Sequence, residues 1–189
     1  MAKQNYLMKF LWVKFLIILA LAAGLYMVIQ LTKPKPQSTV VYLVRHAEKI
    51  TGDNAGRDPQ LSPAGKARAK TLAAMLANKH INKIFSSDYA RTRGTAAPLA
   101  KELGLDIQIY DPRDLPALAT LIKSKPETYL VVGHSNTIPQ TVLALGGDDS
   151  PPIEEASEYD RLYIVKIDKN GHVQSQLQRY GKRYKSASE

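Results

Sequence analysis

The sequence predicts an α/β fold: a three-layer α/β/α sandwich with a mostly parallel mixed sheet, preceded by one N-terminal transmembrane helix. Two runs, Val40–Val44 and Thr128–Val132, are continuous rather than alternating, which reads as strands buried on both faces of a helix-covered sheet. They alternate with segments of helical period, as parallel strands joined by crossover helices do. A third observation is the uninterrupted apolar run Phe15–Ile29, which Phe10 to Trp12 extend if Lys14 snorkels; the total approaches the ~20 residues that cross a bilayer.

The 189 residues leave room for one ordinary domain and an appendage, and a 44% hydrophobic content supplies a core. Residues 1–38 read as a membrane anchor (or signal sequence) with a linker containing Pro34 and Pro36, 39–180 as the folded body, and 181–189 as a basic tail. The net charge of +9 is uneven: Lys3, Lys9, Lys14, Lys33 and Lys35 fall in the first 38 residues, where there is no acid. With Arg179, Lys182, Arg183 and Lys185 read as a solvated end, the body is nearly balanced, so no nucleic-acid partner is expected. Lysines ahead of the apolar run place the N-terminus in the cytoplasm. The body is then expected on the periplasmic or extracellular side of the inner (cytoplasmic) membrane, held by a single pass. Ala20-Leu21-Ala22 also fits a cleaved signal peptide, which would make the protein secreted. Cysteine is absent, which excludes disulfides, thiolate metal sites and Cys nucleophiles.

The elements follow in order. After the strand at Val40–Val44 comes a polar loop, Lys49 to Gln60, and then a helix with Ser62 as N-cap and Pro63 at its first position. Its predicted inner face is Ala64, Ala67, Thr71, Leu72, Met75 and Leu76, with Lys66, Arg68, Lys70 and Lys79 in water. Ile81 to Phe85 is a second strand. Ser86-Ser87-Asp88 offers caps for a helix from about Tyr89, with Ala96, Leu99, Ala100 and Leu103 inside, Pro98 as a kink and Gly104 as its end. Asp106 to Tyr110 reads as a third strand and Leu115 to Ile122 as a helix. Thr128 to Val132 is the fourth strand, followed by a helix at Ile138 to Leu145 and an acidic loop at Asp148 to Asp160. Arg161–Ile167 and His172–Leu177 close the fold as a hairpin around Asn170-Gly171.

Three polar clusters fall at the carboxyl ends of predicted strands: Arg45-His46, Ser86 to Arg91, and Gly133-His134-Ser135. In an open α/β sheet such positions meet in one crevice. A neutral imidazole is a nucleophile towards phosphorus, and guanidinium groups bind phosphoryl oxygens through paired, charge-assisted hydrogen bonds. The set Arg45, His46, Arg91 and His134 therefore suits phosphoryl transfer through a phosphohistidine, with no metal and no cofactor needed.

Leu43-Val44-Arg45-His46-Ala47-Glu48, Leu61-Ser62-Pro63-Ala64-Gly65, Ser86-Ser87-Asp88-Tyr89-Ala90-Arg91-Thr92 and Val132-Gly133-His134-Ser135 resemble the histidine phosphatase superfamily, the phosphoglycerate-mutase-like enzymes. The four motifs stand in family order across about Val40 to Asn136. The resemblance implies that His46 is the phosphorylated nucleophile, that Arg45 and Arg91 bind phosphate, and that His134 completes the pocket. Arg93 is the next arginine and is expected to face solvent.

Two features depart from the family pattern. Larger members carry an acid shortly after the third strand, and here Arg113 stands in its place; Asp114, Asp111 or Glu48 could substitute. The family's Asn after the nucleophile has only Asn54 as a counterpart, more simply a loop residue. Since little length remains for the helical insertion of the mutases, the chain is similar to the short, phosphohistidine-phosphatase-like branch. The implied function is hydrolysis of phosphomonoesters or phosphoramidates, with a small phosphorylated substrate and the membrane as partners. The alternatives are a phosphoglycerate-mutase-type phosphotransferase and a non-catalytic, membrane-tethered phosphate-binding module. An esterase reading of Ser135 lacks the last glycine of the nucleophile elbow and a well-placed Asp-His pair. His46-Ala47-Glu48 as a zinc deaminase motif lacks cysteine ligands. His80 and His172 read as isolated surface residues.

Overall fold

A computed structural model of the chain describes residues 12, 14–24, 26, 38–53 and 55–184. The chain divides into two compact units, Met1–Lys35 and Pro36–Glu189. In the first, residues 14–24 are helical, and Phe15, Leu16, Ile17, Ile18, Leu19 and Leu21 each expose more than half of their surface. Among the described residues no helix is long and apolar enough to cross a membrane. Part of the expected span, Leu25 and 27–29, lies outside the described residues, as do Asn54 and tail residues 185–189.

The second unit is built from β1 (Thr39–Arg45), α1 (Pro63–Leu76), β2 (Lys83–Ser86), α2 (Ala90–Leu103), β3 (Ile107–Ile109), α3 (Leu115–Lys123), β4 (Thr128–Gly133), α4 (Thr137–Ala144), β5 (Arg161–Ile167) and β6 (Val173–Arg179). They form a mixed α/β fold around one six-stranded sheet of order β3-β2-β4-β1-β5-β6. The first four strands of that order run parallel, and β5 and β6 add on antiparallel.

Successive side chains of a strand point to opposite faces, and both faces here are covered. From β1, Val41 and Leu43 pack with Leu118, Ile122, Ile138 and Val142 of α3 and α4. Tyr42 and Val44 pack on the other side with Leu72, Leu76, Leu99 and Ala100 of α1 and α2. The residues of β1 and β4 that supply this core are sealed from solvent, each worth about 1.5–3 kcal/mol of burial. The helices that follow β1 and β4 thus leave on opposite faces, which opens a crevice between the carboxyl ends of two neighbouring strands.

Several local expectations shift. The inner face of α1 is rotated by about one residue: Gly65, Arg68, Ala69, Leu72, Ala73 and Leu76 are buried, whereas Ala64, Ala67, Thr71 and Met75 are exposed. Gly65 decides this, because a Cβ there would sit 2.0 Å from the Glu48 carbonyl oxygen, so the helix seats its first turn directly on the strand's exit. Ser62 caps the helix as expected, accepting from Gly65 N at 3.1 Å. Arg68, expected in water, is instead 6% exposed. Its Nε and Nη2 donate to the Glu48 carboxylate at 2.9–3.0 Å, and its Nη groups donate to the carbonyls of Tyr180 and Lys182 at 2.9 Å.

At the C-terminal side, Arg179 belongs to β6 rather than to a solvated tail, because Glu158 and Asp160 accept from its Nη1 at 2.6 Å. That contact also carries β6 two residues past its expected end. None of Ser86, Ser87 and Asp88 caps α2; Tyr89 holds the N-cap position without a side-chain bond. The β5–β6 loop spans 168–172, longer than a two-residue turn, with the Asp168 carboxylate accepting from the backbone N–H groups of Asn170 and His172.

The Glu48–Arg68 pair fixes α1 and, through Arg68, residues Tyr180 and Lys182 to the exit of β1. Glu48→Ala strands a buried guanidinium and is expected to lower the unfolding free energy by about 3 kcal/mol, against less than about 0.5 kcal/mol for Lys66→Ala. Urea denaturation of the two variants measures the difference.

Candidate active site

The two histidines meet because their strands are neighbours in register. Arg45 pairs with Gly133, and the His46 N–H donates to the Gly133 carbonyl at 2.8 Å. Both side chains therefore leave the sheet at the same level, with ring centroids 5.6 Å apart. Gly133 has no room for a side chain, since a Cβ would fall 2.6 Å from the Tyr110 hydroxyl. Ser86 lies opposite Val132, and the Ser87 N–H donates to the Val132 carbonyl at 3.3 Å, which brings the start of α2 and Arg91 to the same edge.

His46 is 3% exposed, and its Nδ1 lies 2.7 Å from the Ala47 carbonyl oxygen. A carbonyl can only accept, so Nδ1 carries the proton and Nε2 keeps its lone pair. Burial, reinforced by Arg45, Arg91 and His134, pushes the imidazole down to about 3 against the opposing Ala47 bond. His134 Nε2 lies 2.9 Å from Ser87 Oγ, which itself donates to Thr92 Oγ1, whose own proton goes to the Ser87 carbonyl. Ser87 must then accept, so Nε2 of His134 carries a proton. Burial, with Arg91, Arg45 and Lys49, pushes that ring down to about 4.

The arginines are arranged differently. Arg91 lines the cavity, with its guanidinium 4.4 Å from the Tyr89 ring centroid and Nη1 3.6 Å from Asp58. Arg45 stands behind the cavity wall. Its Nη1 donates to the carbonyls of Glu154 and Glu158 at 3.1 and 2.9 Å, its Nη2 to that of Glu155 at 2.6 Å, and Tyr159 lies beneath it at 4.1 Å. Among the described residues, the buried Nε of both Arg45 and Arg91 has no hydrogen-bond partner. Two buried donors of like charge beside two histidines suit a phosphoryl oxyanion, which needs several N–H donors at once.

His46, Lys49, Tyr89, Arg91, His134 and Glu155 are among the residues that wall one cavity of about 540 Å³. Of these, Lys49, Tyr89 and Glu155 carried no assigned role in the sequence. Lys49 and Tyr89 stand within or beside the quoted motifs, whereas Glu155 sits in the acidic loop with no local signal. Arg113 also lines the cavity and is paired with Asp111 at 2.9 Å. The substitutes considered for the missing acid are engaged elsewhere: Glu48 with Arg68, Asp111 with Arg113, and Asp114 as the N-cap of α3, accepting from Ala117 N. Arg93 pairs with Asp88, and His80 and His172 are exposed.

Both imidazoles stay neutral in the folded state to about pH 3 and about 4, whereas unfolded they protonate near 6.5. The unfolded chain binds the extra protons, so stability falls as the pH drops from about 6.5 towards 4. The double variant His46→Gln/His134→Gln is expected to lose less, by on the order of 5 kcal/mol across that window. Urea midpoints at the two ends of the window check this, and an equal loss in both proteins would contradict it.

Comparison with known proteins follows the same residues. Residues 41–112 match the family model of the histidine phosphatase superfamily (branch 1). The "Probable phosphoglycerate mutase GpmB" of Yersinia pestis (strain Pestoides F) is 31% identical over 134 residues, which cover 68% of this chain and 61% of that protein. The chain thus spans about three-fifths of the length of the curated relatives it matches. The protein histidine phosphatase SixA complexed with tungstate superposes with a TM-score of 0.58 at 17% identity, covering 75% of this chain and 95% of that one. A mycobacterial glucosyl-3-phosphoglycerate phosphatase gives 0.55 at 14% identity, covering 76% and 98%. The matched segment holds the Arg-His pair at the end of β1, and over that segment the chain is similar to the histidine phosphatase superfamily (branch 1), while its fold is shared with these solved phosphatases.

Proposed function

We propose that the protein is a phosphatase that hydrolyses phosphomonoesters or phosphoramidates through a phosphohistidine on His46. The observation that carries this reading is the state of His46: its proton is held on Nδ1 by the Ala47 carbonyl, and Nε2 is an unprotonated nucleophile at any ordinary pH. Attack by Nε2 forms the N–P bond as the ester oxygen leaves. Arg91, with the Nε–H of Arg45 behind it, neutralises the equatorial oxygens, and His134 lines the same cavity beside them. Water then attacks the phosphohistidine and releases inorganic phosphate.

A phosphoglycerate-mutase-type phosphotransferase is the second reading, favoured by the likeness to a probable phosphoglycerate mutase. The two differ in what accepts the phosphoryl group, water or a second hydroxyl. A module that binds phosphate without turnover is the non-catalytic alternative. The N-terminal apolar run supports an anchor in the inner (cytoplasmic) membrane with the body on the periplasmic or extracellular side, since lysines precede the run and apolar side chains cover its described helix. Secretion after cleavage near Ala22 is the alternative.

The full chain in detergent, assayed with an aryl phosphate in the presence of a chelator, is expected to release inorganic phosphate. His46→Ala should lower kcat/KM about 1,000-fold or more, and Arg91→Ala about 100-fold. Equal rates in wild type and His46→Ala would remove His46 from the reaction, and phosphate appearing only on an added acceptor would favour the phosphotransferase. A periplasm-active reporter fused after Ser38 is expected to be active and membrane-bound; a soluble active fusion would indicate cleavage instead.

A further inference from the structure

We infer that Glu155 donates the proton to the leaving group, an assignment that rests on the phosphatase reading of this site. The reaction needs such a donor whenever the leaving oxygen is a poor one, because an alkoxide cannot depart unprotonated near neutral pH. The position where larger relatives hold that acid is occupied here by Arg113, which is itself paired with Asp111.

The other nearby carboxylates are committed. Both oxygens of Glu48 accept from Arg68 at 2.9–3.0 Å. Both oxygens of Asp111 accept from Arg113 at 2.9 Å, and those bonds hold its carboxyl below the usual carboxylate range, as an anion. Asp114 caps α3 through Ala117 N at 3.0 Å. Asp58 takes the Ala90 N–H on both oxygens and faces Arg91. Glu155 differs on each count. It is the carboxyl group on the cavity wall, it is exposed, and among the described residues its carboxylate accepts no hydrogen bond.

Its backbone, by contrast, is tightly held. Arg45 Nη2 donates to the Glu155 carbonyl at 2.6 Å, and Arg45 Nη1 to the carbonyls of Glu154 and Glu158 on either side. Arg45 is covalently next to the nucleophile, so one guanidinium ties the loop carrying the acid to the residue carrying the lone pair. An open side chain on an anchored backbone is what a proton donor needs, since it must reach substrates yet stay registered to the reacting phosphorus. In the first half-reaction the N–P bond forms at His46 Nε2, the P–O bond breaks, and the Glu155 carboxyl proton passes to the leaving oxygen. In the second, the Glu155 carboxylate takes a proton from the attacking water, the new P–O bond forms as N–P breaks, and the acid is restored.

The test is the leaving-group dependence of kcat/KM, measured on the full chain in detergent with 4-nitrophenyl, phenyl and alkyl phosphates. Glu155→Gln is expected to lower kcat/KM for the alkyl phosphate about 100-fold or more while changing 4-nitrophenyl phosphate by less than about threefold. It should also abolish the basic limb of the pH profile for the alkyl ester, and Glu155→Asp should recover part of the loss. A uniform loss across the three esters, or an undiminished rate with the alkyl ester, overturns the assignment and leaves the phosphatase reading intact. A wild type that hydrolyses none of the esters, or a His46→Ala protein as active as wild type, overturns both.

Discussion

The structure depends on the parallel pairing of β1 with β4. Six consecutive residue pairs, from Val40 with Thr128 to Arg45 with Gly133, set the register, and the ladder ends by handing the His46 N–H to the Gly133 carbonyl. A slip of one residue would turn Val41 and Leu43 to the wrong core and part the two imidazoles. Two hydrophobic layers resist that slip together, because the strand's alternate side chains are sealed in different clusters. The distance between the two imidazole rings is thus a consequence of core packing, held by residues that do not line the cavity.

Around that ladder the site is made mainly of positive charge. Arg45, Arg91 and Lys49 all lower the affinity of His134 for a proton, and Arg45 and Arg91 do the same for His46. Burial is the larger cause in both rings. The outcome is a neutral imidazole in a cationic setting, a combination that a solvated histidine reaches only above its ordinary range. The setting costs stability on acidification, and it favours an anion once one enters.

Arg45 shows how one residue can serve two levels of the fold. Its two Nη groups close the 154–158 turn by donating to three carbonyls, and its buried Nε has no hydrogen-bond partner among the described residues. The same turn contributes Glu158, which with Asp160 neutralises Arg161 and Arg179 in a buried network. A loop that looks like a solvated acidic stretch is therefore the cross-brace between the end of β1 and the β5–β6 pair.

Much of this was legible in the residues themselves. The apolar runs Val40–Val44 and Thr128–Val132, a Ser62-Pro63 helix start and the Arg-His pair at a strand end follow from local rules of backbone and side chain, and the strands and helix they predict are present within a few residues. Periodicity alone misplaced the inner face of α1, since the close seat of Gly65 on Glu48 and the burial of Arg68 are decided by partners on another segment. The two arginines looked equivalent in sequence, and only the fold separates one on the cavity wall from one caged behind it. Glu155 carried no local mark at all, because its place depends on a hydrogen bond from Arg45, 110 residues earlier. Short-range chemistry can be read along the chain; which carboxylate is bound and which is left open is set by contacts between residues distant in sequence, and those exist only once the sheet has closed.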